Sequence, residues 1–168
     1  MSASFYQIQN PWPGKLSIVA RPRGGEWLED EVRSWVRSGL DVIVSLLEPV
    51  EEAEFGLAQE GSLCRSMGIT FHSFPIEDRG VPASPDETLT LVRELDQYLE
   101  GGKSVGIHCR QGIGRSSLIA ACLLVSAGET PSQAFKRLGR ARGCEVPETA
   151  GQREWVEAFA PKLSAARG

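Results

Sequence analysis

Along this 168-residue chain, short continuous apolar runs give way to stretches with apolar residues three and four positions apart. The continuous runs are Leu16 to Ala20, Asp41 to Leu47, Ile69 to Phe74 and Ser104 to His108. Runs of that length and composition fit strands buried on both faces. The periodic stretches predict helices. Trp27 to Ser38 places Leu28, Val32, Trp35 and Val36 on one face, after a turn at Arg21-Pro-Arg-Gly-Gly25. Glu51 to Met67 reads as helical but interrupted at Gly56 and Gly61. A third helix runs from Ser84 to about Glu100, with Leu91, Val92, Leu95 and Leu99 on one face, and stops at Gly101-Gly102. Further helices cover Ser116 to Ser126, Thr130 to about Ala141, and Thr149 to Phe159. Ser84-Pro-Asp-Glu87, Thr130-Pro-Ser-Gln133 and Thr149-Ala-Gly-Gln152 each set a hydroxyl three places before Glu or Gln, the pattern of a capping box.

Strands separated by helical stretches predict an α/β fold, a three-layer sandwich with a central, mostly parallel sheet flanked by helices. Ligands of such folds bind at the C-terminal ends of the strands. No internal repeat, low-complexity tract or linker interrupts the pattern, so residues 1–168 read as one domain.

One loop carries the chemistry. His108-Cys-Arg-Gln-Gly-Ile-Gly-Arg-Ser116 joins a predicted strand to a predicted helix. A strand passing through a glycine-bearing loop into a helix N-terminus makes an anion site, because backbone N–H groups converge there and the helix dipole favours negative charge. Cys109 at its mouth adds a nucleophile whose thiolate that field stabilises. Arg115 offers a planar fork that grips two phosphate oxygens at once. Gly112 and Gly114 permit backbone angles closed to other residues. The phosphate-binding loop is then Arg110, Gln111, Gly112, Ile113, Gly114 and Arg115. Ser116 is a candidate donor to the sulfur, and His108 a candidate for positioning Cys109 and holding its pKa down. Cys109 would attack in line to form a phosphocysteine, dividing one hard step into two easier ones.

His108 to Ser116 matches the His-Cys-x5-Arg-Ser signature, and the chain thereby resembles the cysteine-dependent protein tyrosine phosphatases, in particular the small dual-specificity-like bacterial and archaeal type. The resemblance extends over about residues 16–160 and implies a four- to five-stranded central sheet. Gln111 departs from the Ala that many members carry. The family's general acid is an Asp on a mobile loop upstream of the cysteine, and Asp78 in Phe74-Pro-Ile-Glu-Asp-Arg-Gly-Val-Pro82 matches that position. Asp78 would protonate the leaving oxygen and then activate water. Glu77 stands beside it as the second candidate. Arg79 either holds this loop closed over phosphate or is simply exposed. Gln152 matches a water-positioning Gln of some members, although the capping box alone also accounts for it.

Composition narrows the function classes. The net charge of −4 argues against a broad nucleic-acid-binding face. The longest apolar stretches are too short to span a bilayer, and no secretory signal is read at the N-terminus. The four cysteines, Cys64, Cys109, Cys122 and Cys144, form no Cys-x2-Cys pair, and the histidines are His72 and His108 alone, so neither a metal site nor another cofactor is expected. A reactive thiol suits a reducing cytoplasm. The resulting expectation is a monomeric phosphomonoester hydrolase of the protein tyrosine or dual-specificity kind, acting on a phosphorylated protein or peptide. The alternatives are a same-mechanism enzyme for a phosphoinositide, sugar phosphate or RNA 5′-phosphate, a non-catalytic phosphate-binding module, and a sulfurtransferase carrying a persulfide on Cys109.

Overall fold

The computed structural model describes residues 5–8 and 11–167. Its strands are β1 (Phe5–Ile8), β2 (Lys15–Val19), β3 (Val42–Ser45), β4 (Thr70–Ser73) and β5 (Ser104–His108). They form one sheet in the order β1-β2-β5-β3-β4. β2, β5, β3 and β4 are parallel, and β1 pairs antiparallel with β2 at the edge. The predicted three-layer α/β sandwich is therefore the fold. β1 was not predicted: its four residues are too few to show a period, and it is a strand because β2 offers an open edge.

Strand residues alternate between two cores. Leu16, Ile18, Val42, Val44, Val105 and Ile107 face one layer, built by α4 (Pro85–Glu100), α5 (Arg115–Ser126), α6 (Pro131–Arg142) and α7 (Ala150–Arg167). Val19 and Ile43 face the other, built by α1 (Leu28–Arg37) and α3 (Glu60–Ser66). In α5 every residue from Arg115 to Val125 is buried, as expected of a helix that is apolar nearly all round. It packs between the sheet and α7, so its N-terminus is fixed by the centre of the core.

Several boundaries and faces differ from the sequence reading. Val36 is 42% exposed while Leu28, Val32 and Trp35 are buried. The buried stripe of α1 is narrow, and Val36 falls about 100° round the helix from Trp35, beyond its edge. The Glu51 to Met67 stretch is two helices, α2 (Pro49–Glu54) and α3, with the chain reversing at Gly56 (φ 67°). Gly61 does not interrupt; it lies inside α3, at the modest cost that glycine carries there. α7 continues past Phe159 and through Pro161, because fully buried Leu163 anchors its far end. Of the predicted capping boxes, Thr130 and Gln133 cap each other reciprocally, whereas at Ser84 the structure shows the hydroxyl half, Ser84 Oγ accepting from Glu87 N–H. Among the described residues no helix is long and apolar enough to cross a membrane.

Candidate active site

The loops after β3, β4 and β5 open on one edge of the sheet, the C-terminal ends of its parallel strands. There, Asp78, Arg79, Cys109, Arg110, Gln111, Gly114, Arg115 and Glu148 line a cleft of about 320 Å³. Cys109 is its floor, 3% exposed. Gly112 N–H donates to Cys109 Sγ at 3.2 Å. That geometry needs Gly112 in the left-handed region (φ 72°), where a side chain would be strained. Gly114 precedes the first turn of α5, and a Cβ there would lie 2.8 Å from Gln152 Nε2, so this position must be bare for α7 to approach the loop. Two carbonyls of the loop are held by one side chain. Arg142, at the end of α6, donates to Gln111 O at 2.9 Å and Gly112 O at 3.2 Å, with its guanidinium 4.2 Å from the Tyr6 ring.

Arg115 is 2% exposed and is held by the loops that follow β3 and β4. Glu51 accepts two parallel hydrogen bonds, Nη1 to Oε1 at 2.7 Å and Nη2 to Oε2 at 2.9 Å. Nη1 also donates to Ile76 O at 2.9 Å, and Nη2 reaches Asp78 Oδ1 at 3.2 Å. Burial acts to lower the Arg115 pKa, but the bonds to Glu51 and the charges of Cys109, Glu51 and Asp78 outweigh it and raise it. Burial likewise acts to raise the Glu51 pKa; the Arg115 bonds, the Glu48 N–H and the charges of Arg115 and Arg110 outweigh it and lower it. The pair is ionised and fixed, and the guanidinium plane is set before any ligand arrives.

Asp78, rather than Glu77, faces the cleft; Glu77 is exposed and not part of its lining. Three interactions hold the Asp78 loop over the cup. Arg79, in the left-handed region (φ 62°), donates to Glu148 Oε2 at 3.0 Å. Gln152 Nε2 donates to Gly80 O at 3.1 Å, and Gly80 N–H closes a turn on Glu77 O. Gln152 also completes the cap of α7: its Oε1 accepts from Thr149 N–H and its N–H donates to Thr149 Oγ1, each at 3.1 Å. One amide thus caps a helix with its oxygen and ties down the Asp78 loop with its nitrogen.

His108 is fully buried on the face of the sheet opposite α5. Its Nε2 lies 2.6 Å from Glu60 Oε2, and its ring packs on Trp35. Ser116 is buried, but its hydroxyl makes no hydrogen bond among the described residues; the sulfur is met by Gly112 N–H instead. Cys64 and Cys122 are buried in the core, and burial pushes the Cys64 thiol up to about 12 and the Cys122 thiol higher still. Cys144 is exposed and not a core residue. Among the described residues no group of three or more His, Cys, Asp or Glu is placed to hold a metal.

The cysteine loop, the buried Arg115 and the Asp78 carboxylate meet at one cleft. A family model described as "Polymorphic toxin system, DSP-PTPase phosphatase" matches residues 19–129. The chain belongs to the DSP-type protein tyrosine phosphatase family. Curated relatives include cyclin-dependent kinase inhibitor 3 of Sus scrofa, 38% identical over 61% of this chain and 49% of the relative. Protein tyrosine phosphatase domain-containing protein 1 of Mus musculus is 32% identical over 87% of this chain and 21% of its own length. The chain thus spans about half or less of these relatives. Among solved structures, a cysteine-to-serine variant of kinase associated phosphatase superposes with TM-score 0.85 at 24% identity, covering 98% of each chain. Tk-PTP in its active form gives 0.76 at 25% identity, over 96% of this chain and 97% of that one. PTPMT1 in complex with PI(5)P gives 0.80 at 17% identity, over 98% and 99%. The family assignment and the sandwich fold agree with the sequence reading.

Glu51, Glu60, Glu148 and Arg142 were not singled out from sequence. Glu51 carried one usable signal, Glu48-Pro-Val-Glu51, a Pro-led capping box in which Glu48 N–H donates to Glu51 Oε1 at 3.0 Å. The other three lie far from the cysteine loop in sequence and meet it only through the packing of α3, α6 and α7.

Proposed function

We propose that the chain is a phosphomonoester hydrolase that uses Cys109 as nucleophile and acts on phosphorylated proteins or peptides, as a protein tyrosine or dual-specificity phosphatase. The observation that carries this reading is the convergence of Cys109 Sγ, the pre-set Arg115 fork and the Asp78 carboxylate on one cleft. The phosphoryl group enters the cup formed by the backbone N–H groups of residues 110–115. Arg115 Nη2 exchanges Asp78 for a phosphoryl oxygen, and Glu51 keeps the guanidinium in plane while it does so. Cys109 attacks phosphorus, the ester P–O bond breaks, and Asp78 gives its proton to the departing oxygen. Water then attacks the phosphocysteine, Asp78 takes up its proton, and the S–P bond breaks to release inorganic phosphate and the thiolate. Gln152 holds the loop that bears Asp78, and His108, tied to Glu60, fixes the end of β5 from which Cys109 projects. No metal or other cofactor takes part.

Relatives named for kinase association and for protein tyrosine phosphatase domains support a phosphoprotein substrate. The test is phosphate release from p-nitrophenyl phosphate, with chelator present, by the wild type and by Cys109→Ser. Turnover in the wild type alone supports the reading. Phosphate binding without turnover by the wild type would make the protein a phosphate-binding module. Thiosulfate-dependent sulfur transfer would make it a sulfurtransferase.

A further inference from the structure

Two arginines, one in the turn after β2 and one in the cysteine loop itself, share one aromatic ring. Arg21, in the turn after β2, has its guanidinium carbon 3.6 Å from the centroid of Phe55, and Arg110 has its own 5.1 Å from the same centroid. Arg21 Nη1 donates to Arg110 O at 3.4 Å, and no ion pair joins Arg21 to a described carboxylate. Arg110 approaches Glu51 and Glu54 only at 4.0 Å each. Glu51 is committed to Arg115, and the Glu54 side chain is 55% exposed at the end of α2. Burial and the charge of Arg110 lower the Arg21 pKa, against the pull of Glu54, Glu51 and Cys109. Two like charges are therefore held together on a ring that fixes their planes, with only a loosely placed carboxylate nearby. Guanidinium faces stacked on an aromatic leave their edges to donate.

We propose that Arg21 and Arg110, set on Phe55, form a second anion subsite beside the phosphate cup, which takes an acidic group flanking the phosphoresidue of a peptide substrate. The proposal rests on the phosphatase reading above and adds the kind of peptide it prefers. Arg110 directly follows Cys109, so the flanking group lies within one or two residues of the phosphoresidue, at about 3.4 Å per extended residue. The anion is a carboxylate or a second phosphate; both present the paired oxygens that a guanidinium edge accepts. A peptide fits better than a membrane surface. The subsite has Glu54 at its border and the cleft has Glu148 on its wall, carboxylates that would repel an anionic lipid surface while leaving room for a single flanking anion.

The test compares kcat/KM for three matched phosphotyrosyl peptides: neutral flanks, a Glu flank, and a flanking phosphoserine. p-Nitrophenyl phosphate is the reference. The wild type should favour each acidic peptide over the neutral one by about fivefold, through KM, and the preference should shrink as salt rises. Arg21→Gln should bring the ratio towards one. Because Arg21 also touches the cup's backbone, a general change in rate divides out of the ratio. Glu54→Gln, which removes the bordering carboxylate, should raise it. Whichever acidic peptide gains more identifies the carboxylate or the phosphate as the natural flank. Equal turnover of acidic and neutral peptides by the wild type, or an unchanged ratio in Arg21→Gln, overturns the subsite while p-nitrophenyl phosphate turnover leaves the phosphatase reading standing. Arg21-dependent turnover of a phosphoinositide in phosphatidylcholine vesicles, without a peptide preference, overturns it in favour of lipid. Absence of p-nitrophenyl phosphate turnover brings down both.

Discussion

Glu51 grips Arg115 with both carboxylate oxygens, at 2.7 and 2.9 Å, where the side chains are 6% and 2% exposed. A buried arginine costs desolvation unless a carboxylate meets it in good geometry, and removing one partner leaves the other charge uncompensated. The pair fixes the Arg115 fork in advance, which under the proposed function would spare an ordering cost when phosphate binds.

Breaking this pair should cost both stability and binding. Glu51→Gln is expected to destabilise the fold by about 3 kcal/mol, measured as a shift of the urea unfolding midpoint at constant slope. It should also weaken competitive inhibition by inorganic phosphate. A variant as stable as wild type, binding phosphate equally well, would show that Arg115 is held by Ile76 O and the cup alone.

The same pair sets an acid limit on stability. The Glu51 pKa in the fold lies below its ordinary value of 4.5. Its contribution is therefore complete above about that value and is lost as pH falls towards the lowered one, because the unfolded chain takes up the proton first. Stability should drop below about pH 4.5, and the Glu51→Gln variant should lose that part of the drop. Unfolding midpoints measured between neutral and acid pH check this; parallel curves for the two proteins would remove Glu51 as the titrating group.

Asp78 and Glu77 are separable by leaving group. Asp78→Asn should lower kcat/KM, which reports formation of the phosphocysteine, by about 100- to 10,000-fold on a phenyl or alkyl phosphate. The loss should be smaller on p-nitrophenyl phosphate, whose leaving group needs little protonation. Glu77→Gln, at an exposed position outside the cleft, should be near neutral. A loss in Asp78→Asn that is uniform across leaving groups would move the acid role elsewhere.

How far the site could be read from sequence depended on distance along the chain. Cys109 to Ser116 is a continuous segment running from β5 into α5, so residue type and spacing were enough to place its cysteine and arginine at one cleft, though not to foresee that Gly112 N–H rather than Ser116 meets the sulfur. Asp78 lies in a separate loop, yet it follows a strand parallel to β5, which returns it to the same edge. Arg142, Glu60 and Glu148 obey no such rule: each reaches the loop through helix packing, and as isolated charged residues they looked like solvated surface. The interruption in Glu51 to Met67 was visible, but Gly56 and Gly61 were alike on paper; only the reversal at Gly56 breaks the helix. Gln152 carried two readings, water positioning and a cap; the cap of α7 is present, and the bond to Gly80 O had no signal in the sequence because it joins segments 72 residues apart. Val36 failed for a simpler reason, since a periodic pattern gives the centre of a buried stripe better than its width.

The central claim is that Cys109 carries the phosphoryl group. Asp78→Asn should slow hydrolysis of the intermediate while still letting p-nitrophenyl phosphate load it. An acid quench during turnover, followed by mass spectrometry of the peptide containing Cys109, should then show the mass of one phosphoryl group on that cysteine, and none in Cys109→Ser. Continued turnover with an unmodified Cys109 peptide, or with the phosphoryl group on another residue, would contradict it.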